Sequence, residues 1–123
     1  MTRIAPLAFA LLLAANAALA APAMTAETAT GAILTAPDGK SLYTFDKDAP
    51  GTSNCAGDCV VNWPILAAAA TDKAEGDYTI IDRADGAKQW AYKGLPLYTF
   101  FKDAAAGDTL GDGVKGVWHL ARP

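Results

Sequence analysis

Leu42-Tyr43-Thr44-Phe45-Asp46-Lys47-Asp48 returns 55 residues later as Leu97-Tyr98-Thr99-Phe100-Phe101-Lys102-Asp103. The register holds without a gap between Ala36–Leu66 and Ala91–Ala121, where ten of 31 paired positions are identical. Gly39 falls on Gly94, and Trp63 falls on Trp118. Self-similarity at a fixed period marks a tandem duplication, in which each copy is one supersecondary unit that shares its core with its neighbour. The rest of the chain is read as variation between two copies.

Around this stretch the pattern is that of strands. Gly31–Thr35 and Ser41–Phe45 are β-prone runs flanking Pro37-Asp38-Gly39-Lys40, and Asp-Gly between such runs is a hairpin signal. Tyr43 and Phe45 share one strand face, Leu42 and Thr44 the other. Asp46 to Asn54 is rich in Asp, Pro, Gly and Ser, and reads as a loop. Ser53 or Asn54 can cap a short helix that Pro64 ends, with Cys55, Cys59 and Trp63 on one side. Ala67 to Gly76 reads as a connector. The second copy carries a preface: Asp77–Asp82, Lys88–Tyr92 and Leu95–Phe100 are three strands joined by turns at Asp85-Gly86 and Lys93-Gly94. Val114 to Leu120 is expected to be a last strand. The fold class is mainly β: a single domain of two related antiparallel repeats, 31–66 and 77–121, with a short helix after the first motif.

The ends set the compartment. Arg3, the uncharged apolar run Ile4–Leu19 and Ala18-Leu19-Ala20 form the three parts of an export signal, cleaved after Ala20 or, second choice, after Ala23. The run is alanine-rich and too short for a membrane span. Residues 21–30 are small and polar, and read as a flexible mature N-terminus. About 103 residues then remain, one domain by size. Without Arg3, nine basic residues stand against 13 acidic, a net charge of −4. The basic residues are scattered singly, so neither nucleic acid nor an anionic membrane is expected as a partner.

Both motif copies fit Tyr-x-(aromatic)-x-x-Asp: Tyr43, Phe45 and Asp48, then Tyr98, Phe100 and Asp103. A Cys-x3-Cys and a Trp-Pro follow the first. In these features the chain resembles a bacterial family of secreted proteins and lipoproteins built from tandem Tyr-x4-Asp repeats. The resemblance spans Gly31 to Leu120. It implies an exported envelope protein of unknown function and supplies no catalytic residues. The chain departs from the lipoprotein members in having no lipid-acceptor cysteine.

Each chemistry-bearing residue has a structural and a functional reading. The favoured reading of the motif is structural: the carboxylate accepts backbone N–H groups of the next loop, and the aromatics pack the core with the phenol on a polar partner. The functional reading places Asp48 and Asp103 in a symmetric ligand or cation site between the repeats. Cys55 and Cys59 are expected to pair, as two cysteines of an exported chain do. So short a loop adds about 2 kcal/mol. The ungapped register sets Leu110 and Val114 at the equivalent positions, so an apolar pair replaces the bridge there. Redox exchange would usually use Cys-x-x-Cys, and a zinc or copper site needs more ligands than are present.

His119, the single histidine, excludes multi-histidine metal sites and reads as a surface residue or a cross-strand contact. Gly111-Asp-Gly113-Val-Lys-Gly116 fits a dinucleotide fingerprint only literally, since no helix can follow it. Asp46-x-Asp48-x-x-Gly51 opens like a calcium loop, but Pro50 and Gly57 occupy a ligand position and the closing position. Gly39, Gly94, Trp63 and Trp118 read as conformational or packing residues. No cofactor, metal or catalytic residue is assigned. The expected function is non-enzymatic: an exported envelope binding or structural module with an unidentified partner or small ligand. The alternative is a periplasmic redox or metal-handling accessory protein using Cys55/Cys59 or Asp48/Asp103.

Overall fold

The computed structural model describes residues 21–123. The signal segment read at residues 1–20 lies outside them. The elements in order are β1 (Met24–Thr28), β2 (Gly31–Thr35), β3 (Tyr43–Phe45), α1 (Asp58–Asn62), β4 (Tyr78–Asp82), β5 (Lys88–Tyr92), β6 (Leu95–Pro96), a 3₁₀ turn (Val114–Gly116) and β7 (Trp118–Leu120). They form three antiparallel sheets: β1–β2, β3–β7 and β4–β5–β6. The architecture is mainly β with one short α-helix, as the alternation and turn chemistry predict.

The meander is where the sequence places it. Arg83 and Ala87 close the Asp85-Gly86 turn, with Arg83 N–H donating to Ala87 O at 2.9 Å. Lys93 and Gly94 both have positive φ, 51° and 87°, as a two-residue turn that follows the strand twist requires. Gly94 and its repeat mate Gly39 (φ 90°) both occupy backbone space costly for a side chain, and a Cβ on Gly39 would come within 2.8 Å of Ala106.

Five expectations change. Residues 21–30 are not a loose tail: β1 lies there, paired with β2 from Met24↔Thr35 to Thr28↔Gly31. This hairpin is the first repeat's counterpart of β4–β5, so the preface belongs to both copies. The strand was hidden because Met24, Thr25 and Glu27 are exposed, which leaves almost no apolar alternation. Second, the runs around Pro37–Lys40 meet only at their base, at Thr35↔Ser41. Beyond it β2 turns to β1, and β3 pairs with β7. Third, helix α1 starts after Gly57, not at Ser53 or Asn54, so Cys55 precedes it. The run Val114–Leu120 likewise splits into the 3₁₀ turn and β7, and only Leu95–Pro96 of Leu95–Phe100 is regular strand.

The repeats exchange strands. β3 of the first repeat pairs with β7 of the second, Tyr43↔Leu120 through Phe45↔Trp118. The same pairing 55 residues on is the bridge Ile65↔Tyr98, which joins the second repeat's central strand to the end of the first. Between them Tyr43 and Tyr98 form a mutual bridge, each N–H donating to the other's C=O at 2.7 and 3.0 Å. More distant bonds obey the same exchange: Asp46 N–H to Val117 O matches Phe101 N–H to Asn62 O, and Ala121 N–H to Leu42 O matches Leu66 N–H to Leu97 O. The result is a pseudo-two-fold domain with its axis at the tyrosine bridge.

Strand alternation sends the two faces of the central strands into two cores. Tyr43, Tyr98, Trp63 and Trp118 lie in one; Leu42, Leu97, Leu34 and Trp90 lie in the other. Tyr43, Tyr98, Leu42 and Leu97 are fully buried, each leucine burial being worth about 1.5–3 kcal/mol.

Candidate functional site

The doubled motif meets at the axis, and its partners are crossed. Tyr43 Oη donates to Asp103 Oδ2 at 2.6 Å, and Tyr98 Oη donates to Asp48 Oδ2 at 2.7 Å. Each tyrosine therefore binds the aspartate of the other repeat. The second oxygen of each carboxylate accepts a backbone N–H of its own loop: Asn54 N–H to Asp48 Oδ1 at 2.6 Å, Leu110 N–H to Asp103 Oδ1 at 2.9 Å. Burial pushes both phenols well above their ordinary range, and the facing carboxylates add to it. Both stay protonated donors.

The surroundings differ. Asp103 is 2 % exposed, and Tyr43 Oη also accepts Gly111 N–H at 3.2 Å. Asp48 is half-buried. Desolvation raises its pKa, against the opposing pull of Asn54 N–H, Tyr98 Oη and the Arg83 charge. Ser53 Oγ lies 2.6 Å from Tyr98 Oη and accepts from Arg83 Nη1 at 2.8 Å. Buried Arg83 is otherwise spent on Gln89 Oε1, Cys55 O and Asp85, and Gln89 Nε2 donates to Leu97 O. A buried cation persists only when so fully partnered. Sequence reading missed Arg83, Gln89 and Ser53 as a group. The available signal was Arg83-x-Asp85, an arginine beside a turn that anchors its guanidinium.

Cys55 and Cys59 form a disulfide with Cα atoms 5.3 Å apart, next to Trp63 and Trp118 in the first core. The second repeat does not set Leu110 against Cys55. Leu110 N–H takes the role of Asn54 N–H, so Gly111 follows in the place of Cys55. A Cβ on Gly111 would come within 2.8 Å of the Trp63 ring and 3.0 Å of Phe100. One face of the aromatic core is thus closed by a disulfide and the other by bare backbone.

Phe45, Trp118, Trp63 and Phe100 stack in that order, with centroid spacings of 4.3, 3.7 and 4.2 Å. The tryptophans are nearly parallel, at 4°. The order is palindromic: each phenylalanine lies on the other repeat's tryptophan. A cleft of about 500 Å³ opens beside the stack, with Lys47, Lys102 and Lys115 along it. Trp90 and Tyr98, which would make a binding platform if exposed, are buried, and Tyr92 is half-buried. His119 is a cross-strand contact, its Nε2 2.8 Å from Asp46 Oδ2. Asp108 caps loop backbone, accepting Ala104 and Ala105 N–H, and Asp112 accepts the N–H of Leu120 in β7. Among the described residues no three His, Cys, Asp or Glu side chains converge on a common point fit for a metal ion. Among them, too, no helix is long and apolar enough to cross a membrane.

Fold and junction together define a pseudo-symmetric two-repeat β domain locked by exchanged tyrosine–aspartate bonds. A family described as a secreted repeat of unknown function matches twice, at residues 24–67 and 79–122, and the chain belongs to that family. The matched segments are themselves 55 residues apart, and the first starts with β1. The family description supports export. No curated protein and no solved structure matches the chain.

Proposed function

We propose that the protein is an exported, non-enzymatic binding module of the cell envelope. The observation that carries this reading is the crossed junction. Both phenols and both carboxylates of the motif bind one another and loop backbone, so the most distinctive residues of the sequence hold the repeats together. The phenols are raised far from any pH at which they would act as bases. Such a junction fixes a rigid frame, and a rigid frame suits a site that is open and preformed. The metal-handling alternative is not favoured, since Asp48 and Asp103 are already engaged. A thermal-shift screen of the purified protein against metals, neutral glycans, cell-wall fragments and aromatic acids tests the reading. It predicts that at least one non-metal compound raises the melting temperature and is recovered chemically unchanged. A panel with no stabilising compound, or a bound compound that is turned over, contradicts it.

A further inference from the structure

The cleft beside the aromatic stack lies on the pseudo-two-fold axis. Much of its lining comes in repeat-related pairs, Phe45 with Phe100, Lys47 with Lys102 and Trp63 with Trp118, while Asp58, Phe101 and Lys115 line it from one copy only. Neither copy could form it alone. Its floor has a defined polarity. Trp118 is sandwiched between Phe45 and Trp63, and Trp63 between Trp118 and Phe100, so both indole faces are covered. The tryptophans therefore offer the cleft only their ring edges, the positive part of the aromatic quadrupole. Lys47, Lys102 and Lys115 are exposed along the same cleft, with Asp58 as its one acid. Among the described residues, the ion pairs involve Arg83, Lys88 and His119, and none of these three lysines. In a chain of net negative charge, three lysines outside those ion pairs gather around an edge-on aromatic floor: Lys47 and Lys102 are repeat mates, Lys102 Nζ also lies 5.6 Å from the centroid of the Phe101 ring, and Lys115 is particular to the second copy.

We propose that this cleft binds planar aromatic anions, a fused-ring diacid fitting its symmetry. The ligand's π face lies across the tryptophan edges, and its acid groups reach the lysines of opposite repeats. The volume is in the range of small-molecule sites. This inference rests on the binding-module reading and names its ligand class.

The probe is naphthalene-2,6-dicarboxylate, with naphthalene-2,6-diol as the uncharged match, titrated into the purified protein and followed by NMR of the indole N–H signals. The diacid is expected to saturate with a Kd below about 1 mM. It shifts Trp63 and Trp118 but not Trp90, which lies in the other core. The diol is expected to bind at least about tenfold more weakly, and added salt to weaken the diacid. Lys47→Ala, Lys102→Ala and Lys115→Ala each weaken it about two- to fivefold, as exposed ion pairs do, with the melting temperature unchanged. Absence of saturable shifts, a diol as tight as the diacid, or lysine variants that bind equally well would overturn the proposal. If the diacid fails while another compound of the thermal-shift panel stabilises the protein, the ligand class is wrong and the binding-module reading stands. If no compound stabilises it, both fall.

Discussion

The Tyr43–Asp103 and Tyr98–Asp48 junctions make one bond in two surroundings. At the first, a carboxylate 2 % exposed faces a buried phenol, with two backbone N–H groups completing the set. At the second, the carboxylate is half-buried, and the phenol is braced by Ser53 and a buried arginine. Around the first junction the neighbouring loop is closed by Gly111 pressed on Trp63; around the second it is closed by a disulfide. Duplication conserved the bond that joins the halves and left its insulation free to diverge. The shared part is therefore the fold's requirement, and the differing parts are alternative ways of supporting it.

The comparison can be broken most severely by separating the copies. Because β3 pairs with β7 and Tyr98 with Ile65, neither 21–68 nor 69–123 holds its own partner strand. Each fragment alone is expected to be unfolded by circular dichroism, and mixing the two to restore a native spectrum. A cooperatively folded single fragment would show that the exchange is dispensable.

Next in size is the buried carboxylate. Asp103→Ala leaves Tyr43 Oη and Leu110 N–H unpaired in the core, and is expected to cost about 3 kcal/mol in denaturant unfolding. Asp48→Ala at the more exposed junction is expected to cost about 1 kcal/mol. Equal losses would mean that the two surroundings do not differ energetically. Between these falls the staple: Cys55→Ser with Cys59→Ser is expected to lower stability by about 2 kcal/mol with the fold retained.

The smallest effect is one of pH. Burial raises Asp48, so the folded state takes up its proton before the unfolded chain does. Its contribution to stability is fully present below the unfolded value of about 3.9 and is lost as pH rises through the raised folded value. Asp85, held low first by the Arg83 hydrogen bond, has the opposite sign: its contribution is present above about 3.9 and lost as pH falls through its lowered value. Carboxylate NMR titration should find Asp48 above, and Asp85 below, the ordinary aspartate range.

Much of this was legible in the residues. The 55-residue period, the meander turns at Asp85-Gly86 and Lys93-Gly94, and the cysteine pairing follow from local chemistry. The hairpin arm β1 was not legible, because an exposed edge strand of Met24, Thr25 and Glu27 carries little apolar pattern. Nor could the crossing be read. Tyr43 stands five residues from Asp48 and 60 from Asp103, and a period states that two copies exist without stating which partner each uses. Only pairing of β3 with β7 decides that. Arg83 escaped notice for a related reason: its partners Ser53, Cys55 and Gln89 come from both repeats, and none is marked by spacing.

A double-mutant cycle tests the crossed junction most directly. Tyr43→Phe combined with Asp103→Asn, and Tyr43→Phe combined with Asp48→Asn, would be compared by denaturant unfolding. The crossed pair is expected to show a coupling of about 1–2 kcal/mol, and the within-repeat pair none beyond error. Coupling between Tyr43 and Asp48 equal to or larger than that between Tyr43 and Asp103 would contradict the exchange of partners between the repeats.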